Sequence, residues 1–418
     1  MSLPRSAPGR ARPFPARWAA PLLAAGLATA VAGPAQAADT LPAGFTNLVE
    51  FGGWTAADGF TPMFTPTLAS DGNLYGVTQY GGNSYYYGGI VYRIDRKGRR
   101  TTLHNFAGGY EGANPEGGLA EGPGGLLYGS TYSDGAGCGL LYRLAKDGSG
   151  FEILHTMMRS EGCNLTGRVL PAPDGSVYAT AMNGGADGGG AVLRWRADSG
   201  VTVLHSFASP PTVVAAPDGR NPFGGVRFDG ANTLVGTTVN GGQDNVGTVF
   251  RYSLATGAYR ILAHASASGP NHPYSAVVRH PQTGDLWGTF VAGGAAGGGA
   301  VWRIPVRGPQ QGQLIIAHEF AGPTSFDGFQ PTAEVTMGPN GLVLGTTQLG
   351  GLDVGTIFSL QADGSGYTQL LKFDGVDGTG QFPFSGLVWR PRTGSVIGTT
   401  TAGGAHGAGT VFEFVLPR

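Results

Sequence analysis

The sequence predicts an all-β protein built as a single seven-bladed β-propeller of four-stranded blades. Three observations support this prediction. One strand-turn-strand unit occurs seven times along the chain. Each unit combines short strand patterns with glycine-rich turns. The strand that the last unit lacks is found ahead of the first unit, as ring closure requires.

The composition agrees with a weakly charged β-protein and excludes other classes. Of 418 residues, 76 are Gly and 28 are Pro, 13% are charged and 41% are hydrophobic, and the net charge is −1. Without a basic excess, we expect no nucleic-acid partner. The hydrophobic content is too high for a disordered chain, and Gly does not recur at every third position as in collagen. No apolar run of about 18 residues follows the N-terminus, so we expect no membrane span.

The N-terminus has the pattern of a secretory signal peptide. Arginines 5, 10, 12 and 17 precede an apolar stretch over residues 18–33, and Ala35-Gln36-Ala37 provides a small-x-small cleavage site. We therefore expect residues 1–37 to be cleaved and the protein to be exported, to the periplasm or beyond the cell. A single anchoring helix is the alternative, but Pro21 and Pro34 argue against it. Residues 38–47 are interpreted as a short leader.

The repeated unit is organised around a Tyr-Gly or Val-Gly strand. Leu74-Tyr75-Gly76-Val77-Thr78 is the first copy, and the small residues at the centres of the seven copies are 76, 129, 179, 236, 288, 345 and 398. A loop, with a Gly-Gly pair in six of the seven units, leads to a second strand such as residues 90–93. An inner strand precedes this pair and an alternating edge strand such as residues 102–106 follows it, which gives four strands per unit.

The strand count predicts how the ring closes. The first three strands occur seven times, but the fourth follows only six units, at 102–106, 152–157, 201–207, 259–265, 313–320 and 367–373. Residues 48–51 supply the missing fourth strand from the other end of the chain. An open solenoid would not need this offset, so we expect a closed propeller over residues 48–418.

The motifs Leu-Tyr-Gly-Thr-Thr-x-x-Gly-Gly, Gly-Thr-Val-Phe-Arg and Leu-His-x-Phe resemble the GloVer tandem repeat of exported bacterial proteins. The resemblance covers nearly all of residues 44–418. It implies an exported propeller-like protein, and it implies no defined activity, so no catalytic residue is transferred. From the strand-like C-terminal residues we expect no C-terminal surface anchor of the kind often found in that family. It also lacks the Trp-Asp dipeptide of another propeller class, and its aromatic spacing differs from that of kelch repeats.

One face of the predicted propeller carries the long loops and is the candidate binding face. Its interblade loops contain an acid-Gly-x-Asn/Gln-Pro signature. We interpret the acids mainly as turn residues, with Pro directing the chain into the inner strand. A ring of carboxylates could also bind Ca²⁺ or supply the acid and base of glycoside hydrolysis. The acids are Asp58, Glu111, Glu161, Asp218, Asp327 and Asp377.

The histidines divide into a repeated set and three exceptions. Five lie in the fourth strands, at 104, 155, 205, 264 and 318, which indicates packing or a hydrogen bond of the repeat. His272 and Tyr274 lie in the one interblade loop without an acid, and Arg220 lies in the loop before it. Such a trio could act in a polysaccharide lyase, with Arg220 neutralising a uronate and His272 or Tyr274 moving the proton. We interpret His280 as a strand-end residue and His406 as a solvated one.

Aromatic side chains in the long loops suggest ligand binding, because aromatic faces stack on sugars and on protein surfaces. The alternative is that these rings fold back and cap the blades. The candidates are Tyr80, Tyr85, Tyr86, Tyr87, Trp54, Phe60, Tyr110 and Phe329.

The two cysteines, Cys138 and Cys163, are expected to emerge on the same face and to form a disulfide in an exported protein. We predict no metal site and no cofactor, with Ca²⁺ as the one alternative. The glycine-rich loops are not phosphate cradles, since no Lys or helix start follows them.

Together these features favour an exported, non-catalytic monomer that binds an extracellular glycan or protein through its long-loop face. The alternative is a polysaccharide lyase or glycoside hydrolase with its site on that face, and a third interpretation is a structural envelope component. A shallow aromatic mouth would favour binding, whereas a deep asymmetric pocket would favour an enzyme. The fold alone does not decide, since propellers host both.

Overall fold

The computed structural model describes residues 41–53, 57–83, 88–134, 137–208, 216–323, 326–351, 354–375 and 378–417. These residues form seven antiparallel blades arranged in a ring, which confirms the predicted seven-bladed propeller. We number the blades 1 to 7 along the chain and label the strands of each blade A to D from the axis outward. The predicted signal peptide and the first three residues of the predicted leader, together residues 1–40, lie outside the described residues.

The two inner strands of each blade form a hairpin. The A strands are short: Thr67–Leu68, Ala120–Glu121, Leu170–Pro171, Arg227–Phe228, Val278–Arg279, Thr336–Met337 and Val388–Arg390. The B strands are the repeated Tyr-Gly segments: Leu74–Thr78, Leu127–Ser130, Val177–Asn183, Thr233–Thr238, Leu286–Phe290, Val343–Thr347 and Ser395–Thr400.

The two outer strands complete each blade. The C strands are Ile90–Ile94, Leu140–Leu144, Gly188–Arg196, Thr248–Ser253, Ala300–Ile304, Thr356–Leu360 and Thr410–Val415. The D strands of blades 1 to 6 are Arg100–Asn105, Glu152–Thr156, Gly200–Ala208, Tyr259–His264, Ile315–Glu319 and Thr368–Lys372. Three short strands, Cys163–Leu165, Pro270–Asn271 and Ala292–Gly293, and three 3-10 turns, Gly109–Glu111, Pro123–Gly125 and Pro339–Gly341, lie outside this scheme.

The N-terminal strand Phe45–Glu50 is the D strand of blade 7. It pairs antiparallel with Thr410–Val415, and the sheet order of blade 7 is D-C-B-A from the N-terminal strand inward. The strand begins three residues earlier than predicted, because Phe45 is buried and its ring stacks on Phe412 at 5.2 Å. The C–D ladder of blade 7 carries a register shift between Asn47 and Val49, matching the shift between Val91 and Tyr92 in blade 1. The closing strand therefore reproduces a repeat-specific β-bulge.

In six of the seven blades, the glycine at the centre of strand B makes room for an aromatic ring on strand C. A Cβ atom at Gly345 would lie 2.4 Å from the Phe358 ring, and one at Gly76 would lie 2.3 Å from the Tyr92 hydroxyl. In blade 3 the same cross-strand pair is Ala179 and Leu193. The repeat thus uses either glycine with a large ring or alanine with a smaller side chain, and total volume is preserved.

The hydrophobic core lies between the blades rather than inside any one of them. Seven clusters of buried residues each combine side chains of two neighbouring blades. One cluster joins Ile397 and Val411 of blade 7 to Phe60, Leu74 and Ile90 of blade 1. The last interface is therefore packed in the same way as the others, and the ring is closed.

Candidate functional site

The long-loop face is organised by seven residues in the left-handed backbone region, one per interblade loop, with φ between 55° and 62°. Their backbone N–H groups each donate to a carbonyl of the preceding blade at 2.7–2.9 Å. This explains why Asn dominates the fourth position of the acid-Gly-x-Asn-Pro signature, since Asn tolerates this conformation well. The seven residues are Thr61, Asn114, Asn164, Asn221, His272, Gln330 and Phe382.

Bridges between interblade loops and the loops after strand B place both long-loop sets on one face, as predicted. Side-chain amides form a ladder across blades 3 and 4 at this edge. The Asn183 amide donates to Asn164 Oδ1 at 3.0 Å, and the Asn221 amide donates to Asn183 Oδ1 at 3.3 Å. The Asn240 amide donates to Asn221 Oδ1 at 3.1 Å. This arc of the mouth is therefore polar and uncharged.

His272 occupies the position that Asn holds in blades 2 to 4. Its Nδ1 contacts the Val239 carbonyl at 2.9 Å, as the Asn221 amide contacts the Met182 carbonyl at 3.0 Å. Since a carbonyl only accepts, Nδ1 carries the proton and Nε2 is left as the second polar atom of the ring.

The other two members of the trio are Arg220 and Tyr274. Arg220 forms an antiparallel bridge with Asn240, directly after the carbonyl that His272 contacts. Tyr274 lines the axial cavity and packs on Phe223 at 4.9 Å between ring centroids. The Val239–Asn240 segment thus contacts both the His272 and the Arg220 loops, whereas Tyr274 lies in the axial cavity.

Five of the six acids of the predicted ring lie in described residues, and four make local contacts. Glu161 and Asp218 contact His155 and His205 at 2.8 and 3.0 Å. Asp327 lies 3.4 Å from His318, and Asp58 lies 3.2 Å from Arg100 while accepting from the Gly52 N–H. Glu111 raises the pKa of His104 against the stronger lowering by burial. Asp377 lies outside the described residues.

His205 and His318 of the repeated set stack on aromatic rings that lie at, or directly before, the start of the next D strand. The ring of His205 stacks on Tyr259 at 3.9 Å, and that of His318 stacks on Tyr367 at 3.7 Å. Each histidine therefore joins a D strand, an aromatic ring of the neighbouring blade and the acid of the loop between them. In these units the acids serve the repeat.

Four of the eight candidate aromatic residues can be placed. Phe60 is buried and stacks on Tyr80 at 5.5 Å, and Tyr80 keeps 37% of its surface exposed at the mouth. Tyr110 is 88% exposed in the loop between blades 1 and 2. Phe329 is half-buried against the interface of blades 5 and 6. Trp54, Tyr85, Tyr86 and Tyr87 lie outside the described residues.

The axial channel below the mouth is bridged by charged side chains that the sequence analysis missed. Arg227 of blade 4 contacts Glu334 of blade 6 at 2.6 Å, and Arg168 of blade 3 donates to the Thr65 carbonyl of blade 1. Burial raises the pKa of Glu334, but Arg227 and Arg168 outweigh it and hold the pKa below its usual range. A cavity of about 70 Å³ remains beside these side chains. The mouth is therefore shallow.

Glu116 of blade 2 is a second group that the sequence analysis missed. The same ring position in the other blades holds uncharged residues, namely Met63, Thr166, Phe223, Tyr274, Thr332 and Phe384. Its carboxylate accepts a 2.7 Å hydrogen bond from Gln79 Nε2 of blade 1. Burial raises the pKa of Glu116 to about 7, outweighing the lowering by Gln79. In the sequence, Glu116 could have been recognised as the one charged residue among the seven equivalent positions of the repeat.

Glu116→Gln is expected to make the protein more stable at pH 8 and to leave its stability unchanged at pH 4. Folded Glu116 holds a proton up to a pKa of about 7, whereas the unfolded chain releases it near 4.5. The free energy of unfolding of the native protein therefore falls as pH rises through this window, and Gln avoids that loss. At pH 8 we expect Glu116→Gln to raise the free energy of unfolding by about 1–2 kcal/mol. This is less than the full difference between the folded and unfolded pKa values would give, because solvent reaches the mouth. Urea unfolding of both proteins at the two pH values measures it, and an equal difference at both would contradict the account.

Cys138 and Cys163 form a disulfide, as predicted, between the B–C loop of blade 2 and the start of blade 3. The Asn164 N–H also donates to the Cys138 carbonyl at 2.9 Å, so the bridge reinforces a regular interblade contact. The bridge closes a chain separation of 25 residues.

Reduction of this disulfide is expected to lower the free energy of unfolding by about 3–4 kcal/mol, the loop entropy that the cross-link removes from the unfolded chain. Urea unfolding with and without dithiothreitol measures the effect. A Cys138→Ser/Cys163→Ser variant is the control and should not respond to the reductant. An unchanged midpoint of the native protein after complete reduction would contradict the expectation.

Within the described part of the chain, no group of three or more His, Cys, Asp or Glu side chains is arranged to hold a metal ion. The described residues also include no helix with the length and apolarity needed to cross a bilayer.

The family model of the Gloeobacter/Verrucomicrobia repeat matches residues 136–351, about half of the chain. The chain belongs to this repeat family. The match confirms the resemblance to the GloVer repeat and covers blades 3 to 5 together with parts of blades 2 and 6. No curated protein matches the repeat protein.

Solved structures are similar to the repeat protein in fold. A GH74 enzyme from Niastella koreensis is 15% identical with a TM-score of 0.57, and the match covers 88% of this chain and 53% of that one. An oligogalacturonate lyase in complex with manganese is 11% identical with a TM-score of 0.55, covering 90% and 93%. TolB from Acinetobacter baumannii is 14% identical with a TM-score of 0.43, covering 70% and 61%. The chain thus spans about half of the GH74 enzyme and three fifths of TolB. The likeness to the GH74 enzyme and to the lyase shows the fold alone.

Proposed function

We propose that this repeat protein is an exported, non-catalytic binding protein that holds a glycan at the mouth of its long-loop face. The observation that carries the proposal is the pairing of an exposed, stacked aromatic with a ladder of side-chain amides around a mouth that is closed below. Aromatic faces stack on sugar rings, and amides donate to and accept from hydroxyls.

The shape of the mouth supports binding over catalysis. The Arg227–Glu334 pair and Arg168 bridge the channel, so a ligand would rest across the mouth rather than enter a deep pocket. Asp58, Glu161, Asp218 and Asp327 already contact basic or histidine side chains of the repeat. The disulfide supports export, because such bonds persist in oxidising compartments.

A glycan array followed by calorimetry on the purified protein tests the proposal. Tyr80→Ala should weaken the binding of the best glycan by about ten-fold, the value of one aromatic stack. Ile316→Ala is the control, since Ile316 is also 37% exposed but lies on the outer D strand of blade 5. Equal affinities for the native protein and the Tyr80 variant, or no glycan bound at all, would overturn the proposal.

A polysaccharide lyase or hydrolase is the second candidate, because the Arg220 and His272 loops both contact the Val239–Asn240 segment and Tyr274 lies in the axial cavity. His272→Asn separates the two functions. Asn holds the same position in blades 2 to 4 and provides the same hydrogen bond to a carbonyl, so the substitution preserves the loop and removes only the imidazole. Depolymerisation of an extracellular polysaccharide by the native protein, lost in this variant, would establish the enzyme.

A further inference from the structure

Glu116 stands out among the acids of the long-loop face. Within the described residues, its carboxylate makes no ion pair with a Lys, Arg or His side chain. Its single side-chain hydrogen bond comes from the neutral Gln79 amide at 2.7 Å. A carboxylate can accept about four hydrogen bonds, so Glu116 keeps most of its capacity for a ligand.

The neighbours of Glu116 are held by the repeat's own backbone contacts. Tyr80 follows Gln79 directly, and the Tyr132 N–H donates to the Asn114 carbonyl at 2.9 Å, two residues before Glu116. Burial first, and then the charge of Glu116, raises the pKa of both tyrosines. Tyr80 and Tyr132 are thus the titratable groups that interact electrostatically with the carboxylate, and each carries an aromatic ring.

A half-buried carboxylate that interacts electrostatically with two tyrosines is suited to an organic ammonium group. The carboxylate supplies the opposite charge, and aromatic faces attract cations through their quadrupoles. A neutral sugar would offer the carboxylate no opposite charge, and a uronate would be repelled by it. On a surface that binds glycans, the ammonium-bearing residue of matching chemistry is an amino sugar whose nitrogen is not acetylated.

We propose that Glu116, Gln79, Tyr80 and Tyr132 form a subsite for the protonated amino group of a hexosamine in the bound glycan. This inference rests on the proposed glycan-binding function and specifies its ligand class. In the protein without ligand, the pKa of Glu116 is about 7. Below that pH, binding of an ammonium group should therefore displace a proton from the carboxyl.

Calorimetry with glucosamine oligomers and with N-acetylglucosamine oligomers of equal length tests the inference. At pH 6.5, measured in two buffers of different ionisation enthalpy, the native protein should prefer the amine form by about ten-fold and release protons on binding. Glu116→Gln should reduce this preference to about two-fold or less while still binding the acetylated oligomer. Glu152→Gln, an equivalent change beside Arg143 on the outer strand of blade 2, is the control and should keep the preference.

The outcomes separate the two proposals. Equal binding of both oligomers, or an amine preference that survives in Glu116→Gln, would overturn the subsite and leave glycan binding standing. Absence of binding to any glycan would overturn the proposed function and the subsite together. Binding of a lysine-containing peptide with no glycan bound would assign the carboxylate to a protein ligand and likewise overturn the hexosamine.

Discussion

Gly345→Ala is expected to destabilise the propeller by about 3 kcal/mol, at the upper end of the usual overpacking range. The new Cβ would lie 2.4 Å from the tip of the Phe358 ring and within 3.0 Å of two further ring carbons. Both residues are fully buried in the interface of blades 5 and 6, so the ring has no free space to enter. The entropy gained by replacing glycine, about 0.5–1 kcal/mol, is smaller than this clash.

The blade that departs from the pattern supplies the compensating change. Blade 3 pairs Ala179 with Leu193 where blade 6 pairs Gly345 with Phe358. The double variant Gly345→Ala/Phe358→Leu should therefore be more stable than the sum of the two single variants predicts, by about 1 kcal/mol or more. Urea unfolding of the four proteins forms the required double-mutant cycle.

A glycine outside this register provides the control. Gly269 lies in the loop between blades 4 and 5, and its nearest neighbour to an added Cβ would be 3.8 Å away. Gly269→Ala should change the free energy of unfolding by less than about 0.5 kcal/mol. If Gly345→Ala were equally mild, or if the double-mutant cycle showed no coupling, the account of the repeat's central glycine would be wrong.

Phe45→Ala should cost about 3–5 kcal/mol, as expected for removing a buried phenylalanine. Phe45 is 5% exposed, stacks on Phe412 at 5.2 Å and meets Phe373 edge-on at 6.0 Å. It thus joins the N-terminal strand to blade 7 and, through Phe373, to blade 6. The loss should appear as cooperative unfolding at lower denaturant, because opening the closing blade exposes the interfaces on both sides.

Thr46 is the matched control in the same strand. Its side chain is exposed, so Thr46→Ala removes only strand propensity and should cost about 0.5 kcal/mol. A Phe45 variant as stable as the Thr46 variant would mean that the N-terminal strand does not hold the ring.

Much of the fold could be predicted because the repeat reports the same packing rule seven times. The first B strand was predicted at residues 74–78 and lies at Leu74–Thr78. The closing strand was predicted three residues short, because its first buried residue, Phe45, precedes the recognised copy of the pattern. A repeat pattern identifies positions that recur in every unit. A residue such as Phe45, which acts only where the two ends of the chain meet, is not identified by that pattern.

The candidate site was less predictable, since its decisive residues interrupt the repeat. Glu116 replaces an uncharged residue, and Arg227 meets Glu334 at a sequence separation of 107 residues. Such contacts follow from the ring geometry and not from local spacing. The opposite holds for His272. In the sequence it departs from the histidine pattern, but in the structure it holds the regular backbone position that Asn holds in blades 2 to 4. For the aromatic loop at 85–87 the sequence prediction stands without a structural test.

Ring closure is most directly measured by a disulfide engineered between the two ends of the chain. Thr46 of the N-terminal strand faces Glu413 of the C-terminal strand, in the register that pairs Thr101 with Arg93 in blade 1. The account predicts that Thr46→Cys/Glu413→Cys cross-links within the monomer as readily as the control pair Arg93→Cys/Thr101→Cys, and mass spectrometry of the digested protein identifies the bridged peptides. A control pair that bridges while residues 46 and 413 stay unlinked, or link only between molecules, would contradict the closed seven-bladed ring.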